Sequence, residues 1–155
     1  MRKTAWKTAF AACSIAVALA LGAVVTATAA PSISSPRTIT VIEKQSQFHF
    51  VDVGASGPSL GDQFVFSGIL RHAGKVVGHD GVHCIIVHQH PARGECEATY
   101  KLPGGKITAQ TLFTFRTSTF DIAVNGGTGV FRNARGQATI EQQTNQSKIT
   151  FNLIP

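Results

Sequence analysis

From residue 38 onward the sequence predicts a single all-β domain, closed as a β-barrel in preference to an open sandwich. Two observations fix the class. β-branched and aromatic residues alternate with polar ones in about eight segments. Gly-containing turns separate these segments at short intervals, and no stretch after residue 37 sustains a capped helical period. A third observation favours the barrel: Ile85-Ile86-Val87 is apolar on both faces, whereas an antiparallel sheet with one wet face alternates cleanly. A filled interior and an outer face covered by a partner subunit would account for it. A central strand of a sandwich gives the same pattern and stays as the alternative.

In chain order, Arg2, Lys3 and Lys7 precede an uncharged, Ala- and Val-rich run, and Ala27, Thr28 and Ala29 supply small residues for a peptidase. Residues 1–29 therefore read as a secretory signal peptide, cut before Ala30. An uncleaved anchor is the alternative, the apolar run being about 18 residues, the lower limit for a span. Residues 30–37 are rich in Ser and Pro and form a leader. The domain follows over 38–155, enough for one core and too short for two. Residues 38–52 are a long strand and 54–59 a loop. Residues 62–71 form a strand with Phe64 and Phe66 on one face and Val65 on the other. After a turn at 73–75, residues 76–78 and 82–88 are extended. Residues 91–94 turn the chain into a strand over 95–102, and 103–105 turn it again. Strands at 106–116, 120–124, 136–142 and 147–153 complete the set. Residues 126–129 read as a turn needing positive φ, and 130–134 as a single helical turn.

The formal charge of +6 falls to +3 once Arg2, Lys3 and Lys7 depart. No basic block remains, so nucleic acid is not an expected partner. Cys13 leaves with the signal, and Cys84 and Cys96 form an even pair in an oxidising compartment. The two lie symmetrically about His90, so a hairpin turning there places them opposite each other as a disulfide. Two free buried thiols are the alternative.

Few residues carry obvious chemistry. Glu43 sits mid-strand with Gln45 on its own face; a carboxylate pointing into a barrel loses hydration and can serve as an acid or base. Outside the barrel it would be a solvated surface residue. Asp121 and Arg135 are a second candidate set, with solvated surface as their alternative. His79, His83, His88 and His90 crowd one window, which raises a zinc or copper site. Strand parity puts His83 opposite His88 and His90, however, and no metal or other cofactor is expected. There is no nucleophile elbow and no phosphate loop.

The segment Gly126-Gly127-Thr128-Gly129-Val130-Phe131-Arg132-Asn133-Ala134-Arg135-Gly136 resembles the signature of the plant dirigent proteins and a turn of the allene oxide cyclases. Gly61-Asp62, the run from Cys84 to His90, Glu97-Ala98-Thr99-Tyr100 and the run from Gly105 to Gln110 are similar to further segments of the cyclases, in the same order. The resemblance covers about residues 41–142. It implies an eight-stranded antiparallel β-barrel with an apolar cavity, assembled as a trimer. Glu43-Lys44-Gln45 is similar to the cyclases' glutamate-x-asparagine element, which holds a water that steers an unstable epoxide, with Gln45 in place of the asparagine. Cys84 falls at a pocket cysteine of the cyclases. Where they carry a further asparagine this chain has Gly68 beside Ser67, so plant allene oxide is not the expected substrate. Dirigent proteins orient phenoxy radicals with pocket Asp and Arg, which the resemblance places at Asp121 and Arg135.

The expectation is thus a secreted barrel without cofactor or lasting membrane anchor. It acts as an isomerase or cyclase on a hydrophobic small molecule, with Glu43 and Gln45 catalytic and Ser67, Asp121 and Arg135 binding. A barrel that only holds or orients such a ligand is the alternative, and a His-rich metal binder is a third.

Overall fold

The computed structural model describes residues 36–155; the expected signal peptide and nearly all of the leader lie outside them. Eight strands follow one another: β1 (Arg37–Val51), β2 (Gln63–His72), β3 (Lys75–Gln89), β4 (Ala92–Leu102), β5 (Gly105–Thr114), β6 (Thr119–Gly129), β7 (Arg135–Gln142) and β8 (Ser147–Ile154). Each pairs antiparallel with the next, and β8 returns to β1, closing the barrel. Closure leaves no free sheet edge.

Several boundaries differ from the sequence reading. β3 is one continuous strand through residues 79–81, because Asp80 and Gly81 pair with Tyr100 and Thr99 of β4. The turn expected over 91–94 is only His90-Pro91, whose peptide is cis, since Ala92 already pairs with Gln89. Cys84 and Cys96 are direct partners in that hairpin and form a disulfide, Cα–Cα 4.1 Å.

Residues 126–129 are not a free turn. Gly126, Gly127 and Thr128 continue β6 opposite β5, and only Gly129 has positive φ. The glycines serve close approach instead: a Cβ on Gly127 would strike the Phe131 and Lys106 carbonyls. Residues 130–134 are successive tight turns rather than a helix, with Phe131, Arg132 and Ala134 amides bonding back to Thr128, Gly129 and Phe131. They fold Phe131 into the end of the barrel, fully buried, with the Arg37 guanidinium 5.4 Å above its ring.

Inward-facing residues divide the interior in two. Around Phe131 the barrel is solid, filled by Val41, Leu70, Ile107, Phe151 and Leu153. Toward the opposite end, where residues 52–62 and the turns at 90–91, 115–118 and 143–146 gather, it is hollow. Of the apolar triplet, Ile86 faces inward and is buried, Ile85 faces outward half-buried, and Val87, beside a bulge, is 46% exposed.

Candidate active site

The hollow end holds a cavity of about 330 Å³. Its walls are the inward positions of the strands, and six phenylalanines dominate them: Phe48, Phe64, Phe66, Phe113, Phe115 and Phe120. Five of these rings stand in a chain, Phe48 to Phe64 at 6.0 Å, Phe64 to Phe115 at 5.2 Å, Phe115 to Phe113 at 5.2 Å, and Phe113 to Phe120 at 4.5 Å. Such a wall suits a flat aromatic body. A bulge in β1 between Gln45 and Gln47 shifts the side-chain parity, so Glu43, Gln45 and Phe48 all line the cavity. The Cys84–Cys96 disulfide forms part of the same wall.

At depth the lining turns polar. Glu43, Asp80 and Tyr100 are buried there, Glu43 at 7% exposure. Gly68 explains the placement: a Cβ at that position would overlap the Glu43 carboxylate, so the missing side chain is the space that Glu43 occupies. The Gly68 N–H donates to Asp80 Oδ1 at 2.5 Å. Glu43 Oε1 has no hydrogen-bond partner among the described residues. Burial pushes the Glu43 pKa up to about 7, the neighbouring Asp80 adds to the rise, and a Ser147 hydrogen bond opposes it. Burial also raises Asp80, against the Gly68 N–H and the charge of His79, which is exposed outside. Burial raises the Tyr100 phenol, helped by Asp80 and Glu43. A carboxyl poised near neutrality beside a second acid can give or take a proton at physiological pH.

The five expected site residues separate. Glu43 and Gln45 reach the cavity. Ser67 faces the outer groove, paired with the Ser46 hydroxyl at 3.3 Å. Asp121 is on the outer surface, accepting from the Thr139 hydroxyl at 2.7 Å, and Arg135 is exposed at the opposite end. Parity is the reason: Phe64, Phe66, Phe120, Ile122 and Ala138 take the inward positions of those strands. His83 bonds the Gln63 side chain and His88 the Pro91 carbonyl. No group of three or more His, Cys, Asp or Glu among the described residues could hold a metal ion. Asp80 and Tyr100 escaped the sequence reading, although both share parity with the apolar inward residues of β3 and β4.

The chain is thus a closed, eight-stranded antiparallel β-barrel with a cavity at one end. The chain belongs to the allene oxide cyclase barrel-like domain family, whose model matches residues 38–153. Among solved structures it is similar to a pyocyanin demethylase, at 34% identity and TM-score 0.70 over 76% of this chain and 99% of that one. It is also similar to AbnU, an exo-specific intermolecular Diels-Alderase (15% identity, TM-score 0.64, 77% of this chain and 98% of that one). The pterocarpan synthase dirigent protein GePTS1 shares the fold at 14% identity and TM-score 0.60, over 77% and 86% of the two chains. No curated protein sequence matches.

Proposed function

We propose that this barrel is an exported, cofactor-independent enzyme of isomerase or cyclase type, acting on a flat hydrophobic molecule held among the phenylalanines. The observation that carries the reading is Glu43, a buried carboxyl with an unpartnered oxygen, lining a cavity walled in part by six phenylalanines. The wall restricts the substrate to few orientations, and Glu43, with Asp80 beside it, moves one proton on the bound ring system. The likeness to a protein named as a pyocyanin demethylase supports pyocyanin as the first substrate to try.

The test incubates the purified protein with pyocyanin and a panel of flat aromatic heterocycles, following substrate loss and separating products by chromatography, since an isomeric product keeps the substrate's mass. Turnover is expected, and Glu43→Gln is expected to lower it by roughly 10²-fold or more with the melting temperature maintained. Tight binding without turnover would make this a holding or orienting barrel. Absence of both would overturn the proposal.

A further inference from the structure

The cavity's two carboxyl groups have no basic side chain beside them in its lining. Glu43 and Asp80 line it with Tyr100, and no Lys, Arg or His is among the residues around it. The nearest basic neighbours on their own strands, Lys44 and His79, have exposed side chains outside the barrel. Asp80 has the Gly68 N–H and the charge of His79 across the wall, whereas Glu43, with one oxygen unpartnered, stays protonated or meets a positive charge carried in from outside. The remaining wall includes six phenylalanine rings, whose faces carry negative quadrupole density and attract cations. Glu43 Oε1, buried, unpartnered and lining the cavity, marks where that charge would sit.

Building on the function proposed above, we infer that the site is built for a cationic planar ligand: an aromatic ring system bearing a quaternised nitrogen, its rings stacked on the phenylalanines and its charge turned toward Glu43 and Asp80. A neutral ring of the same shape would fill the aromatic wall and leave Glu43 uncompensated.

Two probes of one skeleton, 5-methylphenazinium and phenazine, separate the charge from the shape. Binding is measured in the dark by equilibrium dialysis at pH 8, with wild type, Glu43→Gln and Asp80→Asn. Roughly tenfold or greater preference for the cation is expected in the wild type. Either variant should lower it while leaving phenazine affinity within about threefold, which also reports that the variant is folded. Asp80→Asn retains an oxygen for the Gly68 N–H and serves if Glu43→Gln does not fold. Equal affinities in the wild type, or a preference that both variants leave intact, would overturn the inference while the aromatic-cavity reading survived. Failure to bind either probe would overturn both.

Discussion

Glu43 is where sequence, burial and chemistry meet. Its folded pKa of about 7 lies above the usual carboxyl value, so between roughly pH 4.5 and 7 the folded chain binds more protons than the unfolded one. Its contribution to stability is therefore complete below about pH 4.5 and is lost as pH rises through 7. The loss is expected to be on the order of 1–2 kcal/mol, allowing for solvent that reaches the carboxyl from the mouth. Denaturant melts from pH 4.5 to 8 should show this decline in the ligand-free wild type and much less of it in Glu43→Gln; superimposable profiles would refute the assignment. This residue was legible in the sequence through its resemblance to a cyclase glutamate and its shared face with Gln45. Asp80 was not, because Gly78 and Gly81 around it read as a gap between short strands. The missed signal was its parity with Val82, Cys84 and Ile86. Ser67, Asp121 and Arg135 show the opposite case, where neighbouring Phe66, Phe120 and Gly136 face inward and leave them outside.

At the scale of elements, the strands were legible to within a few residues, since alternation and glycine punctuation are local. The bulges were not. The extra residue at Ser46 decides which side of β1 faces the cavity, and its cause lies in pairing with β2 that no local pattern encodes. The β1–β2 connection shows a similar dependence on one side chain. Asp62 is fully buried and accepts from the Val53 N–H at 2.8 Å, the Ser59 N–H at 2.5 Å and the Ser59 hydroxyl at 3.1 Å. The Val53 bond, with those from Ser59, holds its pKa below the ordinary value despite burial. The Gly61 N–H further ties the loop to the Ile86 carbonyl at 2.9 Å. Asp62→Ala is expected to leave the eight strands formed but release residues 53–60, raising limited proteolysis there by roughly tenfold or more. Cleavage at the wild-type rate would show that the carboxylate does not fasten this loop.

Across the whole molecule, the all-β class followed from the sequence, while closure rested on weaker grounds, the two-sided apolar run and the family resemblance. In the structure that run divides between the two faces. Ile86 enters the interior, Ile85 lies over the outer face next to Gln63 and Glu95, and Val87 stands at a bulge. The interior's division was not legible at all. Phe131 reaches the floor only because Gly105 and Gly127, far apart in the chain, leave room for it.

That floor governs traffic. Under the function proposed above, substrate enters and product leaves over the rim of phenylalanines, because the core around Phe131 fills the other end of the barrel, and neither can pass while the other is inside. Accumulating product should therefore raise the apparent KM and leave kcat untouched, with an inhibition constant equal to the product's own Kd. Initial rates measured with added product would show lines meeting on the 1/v axis. A fall in kcat would mean that product also binds while substrate occupies the chamber.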